Sequence, residues 1–157
     1  VDYLLETKPK LANRIGEISQ GAKSSTILSA EEANKSFVAV KKHPPHDLNL
    51  PVIEIQGAPS GTYGYRAHSS TESPIGDFLS LNDPRMMTKA DYRCLNVVPT
   101  KNKMGYVTKV NLSGGNFKIS KVNSHPEWGT GGAIQVEIDR NTIPKEAWGT
   151  PEPWEDL

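Results

Sequence analysis

The chain has 157 residues, enough for one domain with a real core, and its 18 Lys and Arg balance 18 Asp and Glu. Zero net charge argues against a general nucleic-acid binder. No apolar run of ~18 residues is present to span a bilayer, and the charges spread through Val1–Gln20 argue against a secretory leader, so no stable membrane association is expected. The single cysteine, Cys94, excludes an internal disulfide and any cysteine-cluster zinc site.

Val1–Gln20 carries a loose helical stripe (Leu4, Leu5, Leu11, Ile15, Ile18) interrupted by Pro9, and Gly21–Ser25 reads as a joint. Residues 1–25 are therefore expected to form an N-terminal helical appendage, and 26–157 the catalytic domain. Ser29 followed by Glu32 has capping-box spacing and opens a short helix through Phe37. His43-Pro44-Pro45-His46 is an extended connector whose two histidines are held apart by a Pro-Pro pair, so no metal site is expected there.

Strand signals follow. Val52–Ile55 and Thr62–Ala67 alternate around a Gly-Ala-Pro-Ser-Gly turn, and Asp77–Leu81 is a third apolar run. Thr88–Leu95 fits a helix with Met87, Cys94 and Leu95 inward. Gly105–Leu112 and Phe117–Val122 flank Ser-Gly-Gly-Asn, a hairpin signal. In Ala133–Ile138, Ile134, Val136 and Ile138 share one face and Gln135 and Glu137 the other, and Ile143–Trp148 is a proline-started helical turn. Together these predict an α+β fold with a five- or six-stranded, largely antiparallel sheet and short N-terminal helices.

Charge is segregated along the chain. Residues 1–84 hold 8 basic and 10 acidic side chains, net −2; residues 85–122 hold 8 basic and one acidic, net +7; residues 123–157 hold 2 basic and 7 acidic, net −5. The basic block, which includes Lys101, Lys103 and Lys109, is either a solvated face or a local contact for a polyanion.

Two constellations could carry chemistry. Tyr65-Arg66-Ala67-His68-Ser69-Ser70 places a guanidinium and an imidazole on one face of a strand, where Arg66 can clamp a phosphate and His68 can move a proton. The second, Ser124 to Glu137, combines His125, Trp128, Thr130, Gly131 and Gly132 with the polar strand face of Gln135 and Glu137. Its glycines permit close backbone approach and amides that cradle a phosphate, Trp128 can stack on a base, and His125 or Glu137 can act as general acid or base. The plain alternatives are a surface ion pair and a tight loop over an ordinary strand. No P-loop, G-x-S-x-G or H-E-x-x-H string occurs.

Metal-independent RNA cleavage would use His68 and His125, or one of them with Glu137, for proton transfer. Arg66 and the lysines would then meet the phosphorane charge, and Tyr65 or Trp128 would stack on a base. A different subset, Arg66, then Ser80 in Phe78-Leu79-Ser80, then Gln135-Val136-Glu137, resembles the Arg, Ser and Gln-x-Glu elements of ADP-ribosyltransferases, in the same chain order but with one serine in place of a Ser-Thr-Ser string.

Leu28-Ser29-Ala30-Glu31-Glu32-Ala33-Asn34, Tyr65-Arg66-Ala67, Gly76-Asp77-Phe78, Trp128-Gly129-Thr130-Gly131-Gly132-Ala133-Ile134-Gln135-Val136-Glu137-Ile138 and Ile143-Pro144-Lys145-Glu146-Ala147-Trp148-Gly149 resemble a further family. They are similar to the C-terminal toxin domains of contact-dependent growth inhibition (filamentous haemagglutinin-like) exoproteins, with two glycines where three are expected. The resemblance spans roughly residues 28–150. It implies the end of a secreted, cell-surface exoprotein that acts in the cytoplasm of a target cell and is held inactive by a cognate immunity protein. Family members include tRNA-cutting ribonucleases, some helped by elongation factor Tu, and NAD-consuming enzymes. The first expectation is a tRNA ribonuclease needing no metal or cofactor, with Arg66, His68, His125, Gln135 and Glu137 catalytic. Tyr65, Ser80, Lys101, Lys103, Lys109, Trp128, Thr130, Gly131 and Gly132 would bind substrate. The alternative is an ADP-ribosyltransferase or NAD glycohydrolase with NAD as substrate, and a third is a non-catalytic binding module.

Overall fold

The computed structural model describes residues 9–69, 74–99 and 102–155. Lys101, Ser70, Leu4 and Leu5 lie outside the described residues. The first described helix, α1, runs Pro9–Gly21, with its proline in the first turn, where the missing N–H has no intrahelical acceptor to serve. Strand β1 (Ser24–Leu28) leads to α2 (Ala30–Ala39), capped by the Ser29 hydroxyl accepting from the Glu32 amide at 3.1 Å. Then come β2 (Val52–Gln56), β3 (Tyr63–His68), β4 (Phe78–Ser80) and helix α3 (Lys89–Leu95), which begins at a Thr88 cap. The strands β5 (Tyr106–Asn111), β6 (Phe117–Lys121), β7 (Ile134–Ile138) and β8 (Glu152–Pro153) complete the described elements. No helix among the described residues is long and apolar enough to cross a membrane.

The strands form one antiparallel sheet in the order β1-β2-β6-β7-β4-β3-β5-β8, so the fold is α+β. Its eight strands exceed the five or six expected because both edges were illegible. Four of the five residues of β1 are exposed and show no alternation, and β8 is a two-residue edge ending in proline.

The hairpin expected at Ser-Gly-Gly-Asn is absent. The strands on either side of the Gly-Ala-Pro-Ser-Gly turn, β2 and β3, are not neighbours, and neither are β5 and β6 on either side of Ser-Gly-Gly-Asn. Strands β7, β4 and β3 stand between β6 and β5, yet the link between them folds back on itself, with the Gly115 amide donating to the Leu112 carbonyl at 2.9 Å. With ~4.8 Å per strand spacing, so short a link reaches across only if the sheet curls back on itself. The curl has a seam: β3 and β4 share a single register pair, Tyr65↔Ser80. Val110 of β5 and Leu112 just beyond it consequently share one core with Ile53 and Ile55 of β2, Phe117 and Ile119 of β6, and Val136 of β7.

Helix α1 supplies Leu11, Ile15 and Ile18 to that same core. Its Arg14 donates to the carbonyls of Leu81 (2.5 Å) and Tyr63 (2.6 Å), tying the helix to chain on both sides of the seam. The segment expected as an appendage thus contributes core residues. A smaller cluster of Tyr92, Met104, Val107 and Trp154, backed by Tyr65 and Ala67, seats α3 against β3 and β5. Tyr92, not Cys94, is the buried residue of α3, and the Cys94 side chain stays at the loop surface, where Thr130 pulls its thiol below the ordinary value.

Candidate active site

A cleft of about 330 Å³ opens where β3 and β4 part, a volume within the usual range of small-molecule sites (~300–1,000 Å³). Arg66 and His68 reach it from β3, Ser80 from β4, Gln135 from β7, Tyr92 from α3, and His43, His125 and Trp128 from the connector and loop. Three expected site residues from distant parts of the chain are brought together by register: Gln135 pairs with Ser80, and Ser80 with Tyr65, the neighbour of Arg66.

Because β4 pairs with β3 at Ser80 alone, the Phe78 carbonyl has no β3 partner, and Arg66 Nη1 donates to it at 3.0 Å. Arg66 Nε is buried with no hydrogen-bond partner, a donor held ready inside the cleft wall. Gly76 packs flat over the guanidinium; a Cβ there would lie 2.6 Å from Arg66 Cζ. The Ser80 hydroxyl meets the Tyr92 hydroxyl at 2.6 Å, and burial pushes the Tyr92 phenol above its ordinary value, so it serves as a neutral hydrogen-bonding group. Among the described residues the lining carries Arg66 and Lys103 but no carboxylate, which favours an anionic ligand.

The aromatic wall is a ladder. His125 stacks on Trp128 with centroids 4.0 Å apart and planes 7° apart, and His43 meets His125 edge-on at 4.5 Å. Nδ1 of His125 accepts from the Glu127 amide at 3.1 Å, leaving Nε2 as its working nitrogen. His68 has both nitrogens engaged, Nδ1 donating to the Ser69 carbonyl at 2.8 Å and Nε2 meeting the Thr108 hydroxyl at 2.7 Å, so any proton transfer there would first break a bond.

Other expected site residues go elsewhere. The glycine loop does not present its amides to a ligand: those of Gly129, Gly131, Gly132 and Ala133 donate to the carbonyls of His125, Cys94, Val122 and Leu95. Gly131 (φ +70) sits so close to β6 that a Cβ would lie 2.5 Å from the Val122 carbonyl oxygen, so the glycine serves packing against the chain. Thr130 approaches Cys94 Sγ at 3.5 Å. Tyr65 packs into the α3 cluster.

The basic block is dispersed as well. Arg85 pairs with Asp83 and Glu152, Lys89 lies over Trp154, Lys109 over Tyr63 at 4.2 Å, and Lys118 stands in register between Glu54 and Glu137. Of the two described lysines expected to bind substrate, Lys103 lines the cleft and Lys109 does not.

Glu137 does not line the cleft. It borders a neighbouring polar depression with Glu54, Lys118 and Asp139, and its Oε1 is 2.7 Å from Nε2 of His46. The acidic partner of the His46 ring is thus a residue 91 positions away, not the adjacent Asp47. No sequence signal marked His46, because a histidine that follows two prolines reads as a connector until its spatial partners are known.

No family model and no curated protein matches the chain. Among solved structures, that of Tne2 in complex with Tni2 is similar at a TM-score of 0.47 and 16% identity, over 63% of this chain and 89% of that one.

Proposed function

We propose that the cleft binds an NAD-type dinucleotide and cleaves its nicotinamide–ribose bond, as a glycohydrolase or an ADP-ribosyltransferase. The observation that carries this reading is Arg66, anchored on the Phe78 carbonyl with a buried unpartnered Nε, in one cleft with Ser80 and Gln135. Arg66 would hold the pyrophosphate, with Lys103 adding positive charge. The Trp128–His125 stack would receive a planar ring. Cleavage sends the bond's electron pair to the nicotinamide nitrogen and leaves an oxocarbenium-like ribose. Water, or a target nucleophile, then adds to that carbon and releases a proton. Ser80 and the Gln135 carboxamide would meet the ribose hydroxyls, and Glu137, two residues along the same face of β7, would contribute its charge from beside the cleft. Placing this activity in a toxin domain with a cognate immunity protein, acting in a target-cell cytoplasm, rests on the motif resemblance.

Ribonuclease activity on tRNA is the second reading, favoured by the Trp128–His125 stack and Lys103 at the same opening. Against it weigh the engaged nitrogens of His68 and the scattering of the basic block. Incubating the purified protein with NAD while following nicotinamide release, with total RNA on a gel alongside, separates the readings. Nicotinamide release with intact tRNA is expected. Cut tRNA with intact NAD would overturn the proposal in favour of the ribonuclease, and no change in either would leave a binding module.

A further inference from the structure

His46 is fully buried, and the reaction proposed above does not use it. Its backbone is clamped to α2 from both sides: its amide donates to Asn34 Oδ1 at 3.0 Å, and its carbonyl accepts from Asn34 Nδ2 at 2.9 Å. Its ring spans two strands, with Nδ1 2.5 Å from the Ser120 hydroxyl on β6 and Nε2 2.7 Å from Glu137 Oε1 on β7.

With His46 taken as a neutral imidazole, counting protons gives the direction of each bond. A carboxylate only accepts, so Nε2 carries the proton toward Glu137. Ser120 Oγ accepts from Gln135 Nε2 at 3.2 Å and has one proton of its own, which falls to the bare Nδ1 of His46. The second Gln135 amide hydrogen goes to the Pro45 carbonyl at 2.9 Å, and Pro45 is itself held next to His46. Both hydrogens of the Gln135 carboxamide are therefore used on the protein, and the atom left for the cleft is its oxygen. A free carboxamide could flip and offer a donor of nearly the same shape, so this chain of bonds selects which the ligand meets.

We infer that His46 is a positioning residue: through Ser120 it holds Gln135 with its carboxamide oxygen toward the cleft, and through Nε2 it tethers Glu137. The ligand group that meets Gln135 must then be a hydrogen-bond donor, such as a ribose hydroxyl or a primary amide. Naming those two donors rests on the NAD reading; the orientation of Gln135 does not.

The test is side-chain ¹⁵N NMR of the full chain, with the Gln135 amide signals identified by their loss in Gln135→Met. In the wild type the two Gln135 amide protons should exchange slowly, and His46 should show one protonated nitrogen, Nε2, and one acceptor nitrogen, Nδ1. Ser120→Ala should cut the protection of the Gln135 amide and raise KM for NAD by about three- to tenfold while leaving kcat nearly unchanged, the span expected from one lost hydrogen bond. Ser120→Thr, which restores the hydroxyl, should recover the protection. Rapid exchange of the Gln135 amide in the wild type, or unchanged protection in Ser120→Ala, would overturn the inference. A wild type that turns over no NAD would instead sink the functional reading, and the amide exchange would still decide the orientation.

Discussion

In the proposed reaction, Arg66 is the residue on which NAD binding depends most directly. Its guanidinium is gripped by the Phe78 carbonyl on one side and covered by Gly76 on the other, with Nε left over. Arg66→Ala is expected to lower kcat/KM for NAD about 10- to 100-fold, the range for losing hydrogen bonds to a charged group. Gly76→Ala should weaken activity in the same direction without removing any charge, because the new methyl occupies the guanidinium's place. Steady-state kinetics of the two variants checks both, and wild-type kinetics in Gly76→Ala would mean that Arg66 does not work from this position. Tyr92 gives a second prediction at this scale. Burial raises its pKa in the fold, so above the ordinary tyrosine value of ~10 the unfolded chain gives up a proton that the native chain keeps. Stability should therefore fall as pH rises beyond ~10. Denaturant melts across pH 9–11 should show this fall in the wild type and a shallower one in Tyr92→Phe.

Among the elements, α3 ends in a strained turn at the cleft wall. The Val98 amide returns to the Arg93 carbonyl at 3.0 Å and Val97 adopts φ +55, a slot at helix C-termini that glycine usually fills. A β-branched residue there carries strain of about 1 kcal/mol or more. Val97→Gly should raise the melting temperature by about 3 °C, readable by calorimetry, and a lower melting temperature would mean that Val97's cleft contacts outweigh the strain. The elements also mark where sequence reading succeeded and failed. The capping box at Ser29, the helix over 88–95 and the alternation of β7 were legible because each is written within a few consecutive residues. The Ser-Gly-Gly-Asn hairpin is not formed because a Gly-rich turn specifies a reversal of the chain but not the strand that receives it.

For the molecule as a whole, the curl at the β3–β4 seam places two sheet portions and α1 around one core. Ile15 is 1% exposed within it. Ile15→Ala should cost about 3 kcal/mol in denaturant unfolding, as for other buried aliphatic truncations. A loss under ~0.5 kcal/mol would mean that the N-terminal helix is dispensable to the domain. The same curl disperses the charge. Of the eight basic side chains clustered in sequence, the described ones are divided among α3 (Lys89, Arg93), β5 (Lys109), β6 (Lys118, Lys121) and the segments that hold Arg85 and Lys103, several already paired, so they do not form one polyanion-binding face.

The residues by themselves determined the kinds of chemistry available: an arginine before a strand's end, a serine on the next strand, a glutamine and a glutamate two apart on an alternating strand. Those are local facts, carried by residue type and by a period of two. Only the tertiary structure decided that Arg66, Ser80 and Gln135 share a cleft, that the glycine loop spends its amides on packing, and that Glu137 turns to His46. His46 meets Ser120 and Glu137 across 74 and 91 positions of chain. Contacts of that span follow from how the whole chain buries its apolar surface while finding partners for its buried polar groups, and no window of neighbouring residues contains that balance.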